Sequence, residues 1–251
     1  MTSVNNARMA AKLRKLMAEK KTLYGIGAGD TLAAMIGAQF DGLDIVFTSG
    51  FSVTACLYGK PDAEILSRTE NLMACQAITS VIDKPLIADI DTAYGNAASA
   101  VNALHDFERA GVAAVIIEDQ VSPKMCPISV ENTQKVIPLE EAAGKIKACA
   151  ENRLNPDTVI VARSDDEDFD SIVERAIAYK EAGADVIQLS YLAYKTPEGG
   201  KKAAELIQHP QSFVVCGMTD AWSLEMIQAM QPKFVQFPLV PIEAAFRAMW
   251  D

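Results

Sequence analysis

The chain predicts an α/β protein of the (β/α)8 (TIM-barrel) class, organised as one domain over residues 1–251. Three observations carry this expectation. Eight short apolar runs alternate with stretches of helical periodicity. The apolar runs lack the in–out alternation of a half-solvated sheet, which suits parallel strands buried on both faces. Two of them run directly into carboxylates, at Asp89 and at Glu118, and strand C-terminal ends are where such barrels bind ligands. A doubly wound parallel sheet is the runner-up and normally uses fewer strands.

The elements follow in order. The segment from Ala7 to Lys21 is basic, with Met9, Leu13, Leu16 and Met17 at helical spacing. It reads as an amphipathic helix covering the bottom of the barrel, with a transit peptide as the alternative. Strands are expected at 22–26, 45–47, 86–89, 113–118, 159–163, 186–189, 213–216 and 234–237. Helices are expected between them, clearest at 98–109, 140–151 and 169–182. In the last, Ile172, Val173, Ala176 and Tyr179 form one apolar stripe. Ala110-Gly111 and Ala182-Gly183 read as helix ends closed by a glycine. Gly199-Gly200-Lys201-Lys202 reads as a loop entering a helix and lacks the spacing of a phosphate-binding loop. The chain stops just inside the eighth helix, at 241–251, so extra C-terminal helices are expected to be absent.

Half the residues are hydrophobic and the formal charge is −10, with no run rich in Lys or Arg. Nucleic acid and anionic membrane surfaces are therefore poor partners. No apolar stretch approaches the ~20 residues that span a bilayer. The five cysteines have irregular spacing and no CxxC pair, which suits reduced thiols and a cytoplasmic setting. His105 and His209 sit in no catalytic pattern and are assigned packing or surface roles.

The most informative stretch is Ile87-Ala88-Asp89-Ile90-Asp91-Thr92-Ala93-Tyr94-Gly95-Asn96. Asp89 and Asp91 stand at i and i+2, so on a strand they share a face. Two such charges repel unless something positive lies between them, and a hard divalent cation is the simplest answer. The bland alternative is a solvated acidic loop. A second acidic strand end, Val112 to Gln120 with Glu118-Asp119, shifts the balance towards a site.

These residues carry a resemblance. DIDTAYGN and IIEDQVSPKMC resemble the DADTGYGN and IEDQ-x-x-PK-x-C motifs of the isocitrate lyase/phosphoenolpyruvate mutase superfamily, with 2-methylisocitrate lyase-like and carboxyphosphonoenolpyruvate mutase-like members. Ser49-Gly50-Phe51, Gly59-Lys60-Pro61-Asp62 and Val161-Ala162-Arg163-Ser164-Asp165 are similar to further family segments, in the same order. The resemblance implies Mg2+ (or Mn2+) held by Asp89, with Asp62, Asp91 and Glu118 in its shell. It implies a substrate carboxylate at Ser49, Gly50 and Phe51, with Arg163, Asp89 and Ser190 also touching substrate. It assigns chemistry to Cys126, Lys124 and Arg163, with Lys124 a neighbour able to lower the Cys126 pKa.

The sequence departs from the family pattern at four places. Pro127-Ile128 replaces the Gly-His that follows the lyase cysteine, and Ala93 replaces a glycine, adding a methyl near the metal shell. Ser190 stands where many lyases have Glu, and Gly217 where a polar residue is common. These changes argue against a tricarboxylate. The expectation is a Mg2+-dependent carbon–carbon lyase acting on a small anionic 2-hydroxy or 2-oxo acid, as a homo-oligomer (dimer or tetramer). Alternatives are a phosphonate P–C enzyme, an oxaloacetate-type decarboxylase, or a catalytically lapsed barrel.

Overall fold

The computed structural model describes residues 4–126, 135–194, 196–216 and 222–251. The elements run α1 (Val4–Glu19), β1 (Leu23–Ala28), α2 (Thr31–Ala38), β2 (Ile45–Thr48), α3 (Gly50–Tyr58), α4 (Arg68–Thr79), β3 (Leu86–Asp89), α5 (Ala97–Arg109), β4 (Ala114–Glu118) and α6 (Leu139–Asn152). They continue β5 (Val159–Ser164), α7 (Phe169–Glu181), β6 (Val186–Leu189), α8 (Tyr191–Tyr194), α9 (Pro197–Ile207), β7 (Gln211–Val214), α10 (Leu224–Ala229), β8 (Phe234–Phe237) and α11 (Val240–Trp250). Every neighbouring pair of strands is parallel and β8 pairs back onto β1, so the sheet closes into the expected eight-stranded barrel.

Alternation inside and outside the barrel explains the continuous apolar runs. Leu23, Ile45, Phe47, Ile87, Ile116, Val161, Val186 and Phe234 fill the interior. Val46, Leu86, Ala88, Val115, Ile117, Ile160, Ile187 and Val235 face outward and pack under the helices. Met9 and Leu13 of α1 join the interior cluster, so the amphipathic helix does close the bottom. Each such buried side chain contributes about 1.5–3 kcal/mol. Asn6 fixes the docking by donating to the Val112 carbonyl (2.6 Å) and to Thr158 Oγ1 (3.3 Å).

Helix starts follow the capping residues. Asp30, Ser49, Asn96, Asp168, Thr196 and Ser223 each accept a backbone N–H at the first turn, and Ser67 forms a reciprocal cap with Glu70. Gly183 follows α7 at φ 97°, where a side chain would be strained. His105 and His209 meet the carbonyls of Asn152 and Ala184, in packing roles.

Two boundaries correct the sequence expectation. β7 begins at Gln211 rather than Phe213, directly after Pro210, and Gln211-Ser212 hid it because polar residues interrupt the apolar run. Gly199-Gly200-Lys201-Lys202 is not a loop but the body of α9, started by the Thr196 cap and Pro197. Gly200 is there because a Cβ would lie 2.3 Å from Met230 Sδ. The position of Gly217, and those of Pro127 and Ile128, lie outside the described residues.

Candidate active site

The C-terminal ends of β2, β3, β4, β5 and β6 bring the expected residues to one cavity. Ser49, Gly50, Phe51, Asp62, Asp89, Cys126, Arg163 and Ser190 line it. Its other walls are largely apolar, from Phe47, Ile116, Leu189, Val214, Pro238 and Leu239. Asp91, Glu118 and Lys124 lie behind this lining, each almost wholly buried.

Ser49-Gly50-Phe51 is more than a turn. Ser49 is the N-cap of α3, accepting from the Ser52 N–H (3.4 Å), and Gly50 and Phe51 are its first helical residues. Free N–H groups at a helix start suit a carboxylate. Gly50 lets the chain pass close to the acids: a Cβ there would lie 3.2 Å from Asp62 Oδ2 and 3.3 Å from Lys124 Nζ, and these groups would have to give by a few tenths of an ångström. Asp89 ends β3, with its N–H donated to Thr48 Oγ1 (3.0 Å) and its carbonyl accepting from Asn71 Nδ2 (2.8 Å).

Asp91 does not reach the site by strand alternation. The strand stops at Asp89, and Asp91 has φ 52°, followed by Ala93 and Tyr94 also at positive φ. This turn folds Asp91 inward, and its N–H donates to Asp89 Oδ1 (3.1 Å). Ala93, in the same turn, is fully buried and joins the core between barrel and helices.

Lys124 is the hub. Its ammonium lies 2.7 Å from Asp91 Oδ1 and 3.2 Å from both Asp62 Oδ2 and Glu118 Oε1. The Asp91 contact is the shortest of the three. The positive group between the acids is therefore this lysine. Its charge is engaged by carboxylates. Burial opposes the ammonium, but Asp91 and Glu118 outweigh it and hold its pKa well above the usual lysine value. Burial pushes Asp91 up to about 7 despite Lys124. Burial likewise raises Glu118 well above the carboxylate range, against the pull of Arg163 and Lys124.

Arg163 pairs with Glu118 (2.6 Å) and Asp165 (3.0 Å) while still facing the cavity. Burial opposes its charge; Asp165 and Glu118 more than offset this. Cys126 is buried at the cavity wall, its N–H donating to the Asp62 carbonyl (3.0 Å). Ser190 caps the rim after β6, its N–H donating to the Ser164 carbonyl (3.0 Å).

A supporting layer escaped the sequence reading. Glu64 accepts from Thr92 Oγ1 (2.6 Å), Ser122 Oγ (2.6 Å) and the Lys124 N–H (2.8 Å), tying the Lys124 segment to the β3 turn. Asp119 accepts from Ser164 Oγ and Tyr179 OH (both 2.7 Å), Arg175 (3.2 Å) and the Asp165 N–H (3.0 Å). Asp165 in turn holds Arg163 and accepts from Gln120 Nε2 (2.8 Å). Asp119, Gln120 and Asp165 adjoin the expected motifs and so had a local signal. Glu64, Arg175 and Tyr179 had none.

Among the described residues, no three His, Cys, Asp or Glu side chains converge as a ready metal cage. The donor set nevertheless fits a hard cation that keeps most of its waters. It is all oxygen. Five carboxylates (Asp62, Asp89, Asp91, Glu118, Asp165) face two cations, Lys124 and Arg163. Asp89, Asp62 and Asp165 are the acids that open to the cavity, and Asp165 is already paired with Arg163.

Fold and rim define the class first, a (β/α)8 enzyme with its polar residues at the strand C-terminal ends. Residues 13–251 match the family model described as phosphoenolpyruvate phosphomutase, and the chain belongs to that family, within the isocitrate lyase/phosphoenolpyruvate mutase superfamily. A 2,3-dimethylmalate lyase of Eubacterium barkeri is 34% identical over 250 residues, spanning 96% of this chain and 84% of the relative. A phosphoenolpyruvate phosphomutase structure from Streptomyces platensis subsp. rosaceus is similar with TM-score 0.87 and 30% identity, covering 96% of this chain and 84% of that one. A phosphonopyruvate hydrolase complexed with oxalate and Mg++ is similar with TM-score 0.81 and 31% identity, covering 99% and 84%.

Proposed function

We propose that this chain, as one catalytic domain over residues 1–251, is a Mg2+-dependent carbon–carbon lyase for a small 2-hydroxy or 2-oxo dicarboxylic acid. The observation that carries the reading is the single cavity into which Asp89, the α3 N-terminus, Arg163 and Cys126 all open. The metal-bearing hydrolase relative and the 34%-identical lyase support it. Asp89, with Asp62, Asp91 and Glu118 around it, would hold the cation (Mg2+, with Mn2+ an alternative). Bound there, Mg2+ supplies Lewis acidity for adjacent substrate oxygens. The N–H groups of Gly50 and Phe51 with the Ser49 cap bind one carboxylate, and Arg163 grips a second in two-point fashion. A rim carboxylate takes the hydroxyl proton as the carbon–carbon bond breaks. The bonding pair passes to the departing carbon, and the Cys126 thiol protonates it. Lys124 keeps Asp62, Asp91 and Glu118 in place during this exchange. The apolar walls suit alkyl substituents and oppose a third carboxylate.

The phosphonate reading rests on the mutase and hydrolase relatives and is favoured by no residue at position 126. The test is calorimetric titration of Mg2+ into wild type and Asp89→Ala, then turnover of substituted malates, oxaloacetate and phosphonopyruvate. Equal metal affinity in the two proteins removes the site, and turnover of the phosphonate alone moves the enzyme to the other chemistry. The five cysteines form no disulfide, which suits a cytoplasmic enzyme. We also propose a homo-oligomer: Phe246, Met249 and Trp250 on α11, Leu32 and Ile36 on α2, and Phe40 just after α2 are exposed apolar residues, a pattern typical of covered surfaces. Sedimentation tests that state directly.

A further inference from the structure

Gln236 on β8 is fully buried, and neither Nε2 nor Oε1 has a hydrogen-bond partner. Among the described residues, the remaining buried side-chain atom of this kind is Asp91 Oδ1, which has the Lys124 ammonium 2.7 Å away. A buried amide with both ends unmet is a feature that native folds rarely tolerate without a use for it. The barrel offers it nothing. Phe234 lies one layer below on the same strand, and Pro238 one layer above. The register partners on either side are Gly25, which has no side chain, and Val214. Gln188, the other amide of the interior, is already committed, its Oε1 accepting from Ser212 Oγ (3.0 Å). Gln236 nevertheless lines the same cavity as Asp89, Ser49 and Arg163.

We propose that Gln236 is a specificity-determining residue that hydrogen-bonds an oxygen of the bound acid from the floor of the cavity. This rests on the reading of the site as one for small carboxylic acids. Nε2 donates to a carboxylate or carbonyl oxygen, and Oε1 is free to accept from a hydroxyl or carboxylic acid proton. Within apolar walls such a contact discriminates strongly, because a ligand lacking the oxygen leaves the amide unmet. The residue thus supplies selectivity from β8, a strand that contributes no other polar side chain to this cavity.

The experiment compares wild type with Gln236→Met, which keeps the length and removes the amide, and with Gln188→Met as a partnered control. In the ligand-free protein, Gln236→Met should raise the thermal midpoint by about 2–4 °C, whereas Gln188→Met should lower it. With saturating Mg2+, a panel of oxalate, malate and phosphonopyruvate is then titrated. At least one member that protects wild type should bind Gln236→Met tenfold or more weakly, at unchanged Mg2+ affinity. Equal binding of every member overturns the proposal. A lower midpoint in ligand-free Gln236→Met also overturns it, since the amide then serves a structural water. If no member protects wild type, the small-acid reading fails instead, and the ligand-free midpoints still decide whether the amide is held in reserve.

Discussion

Replacing Lys124 by Met tests the hub at the centre of the site. Methionine keeps much of the lysine stem but removes the ammonium from among Asp91, Asp62 and Glu118, at 2.7, 3.2 and 3.2 Å. Losing one partner of a buried pair leaves uncompensated charge and costs about 3–5 kcal/mol. In a chain of this length that lowers Tm by roughly 6–20 °C. The loss should depend on pH in a defined direction. Burial raises Asp91 and Glu118 and Lys124 holds them down, so without the ammonium these two sit further above their unfolded pKa values, fold protonated at low pH and are penalised for ionising as pH rises. The difference from wild type is therefore smallest near pH 4–5 and grows towards pH 8. In wild type the lysine's own contribution is fully present below its unfolded pKa, and is lost only as pH rises through its raised folded value. Denaturant melts at pH 5 and pH 8, with chelator and then with Mg2+, measure this. Partial rescue by Mg2+ is expected, because the cation meets the same negative excess. A loss below about 1 kcal/mol, or one of equal size at both pH values, would refute the assignment of Lys124 as the charge that holds the acids together.

Three further outcomes follow from the same contacts. Arg163→Lys should reduce kcat/KM far more than stability, since an ammonium cannot reproduce two-point binding while serving Glu118 and Asp165; unchanged kcat and KM would remove the substrate role. Asp119→Asn should cost about 1–3 kcal/mol by placing an amide donor against Ser164, Tyr179 or Arg175, and should also lower kcat through the Asp165–Arg163 contact. Asp166 is the acid whose pKa is lowered. Burial works against this, but hydrogen bonds from Ser171 and the Asp168 N–H, together with Arg175, prevail. Its stabilisation is present above the unfolded pKa and lost as pH falls through the folded one, so Asp166→Asn should destabilise at pH 7, by less than about 1 kcal/mol, and not at pH 2.

The strands were legible where the chain alternates between two apolar environments, as in Val112 to Ile117, and illegible where a polar residue faces the barrel interior. Ser212 and Gln236 are such residues, and they obscured the start of β7 and the floor of the cavity. Asp89, Glu118 and Arg163 were legible because a charge ending an apolar strand has few places to go except the rim. The role of Lys124 was not, because sequence order gives no hint that an ammonium from a loop reaches Asp62, sixty-two positions away. The same distance effect hid Tyr179 and Arg175, sixty and fifty-six positions from Asp119. The spacing of Asp89 and Asp91 called for a positive group nearby, and the Lys124 ammonium is one such group, 2.7 Å from Asp91.

Cys126 separates the chemistries that share this barrel. Its thiol is buried at the wall of the cavity that Asp89 and Arg163 also line, and its backbone is anchored to the Asp62 carbonyl. Cys126→Ser preserves that anchor, nearly the same size and a hydroxyl. It replaces a thiol by a hydroxyl, an intrinsically far weaker acid, so a proton handed to the departing carbon is given up at higher cost. General acid assistance is typically worth roughly 10²–10⁴ in rate, and kcat on the best lyase substrate should fall within that range while Mg2+ affinity holds. If phosphonate chemistry is the true activity, position 126 instead contacts a transferring group, and Cys126→Asn should preserve or raise phosphonate turnover. A catalytically lapsed barrel responds to neither change. Full lyase activity in Cys126→Ser would eliminate the proton-transfer role and leave the thiol as packing, with the fold, the acids and the Lys124 hub untouched by the result.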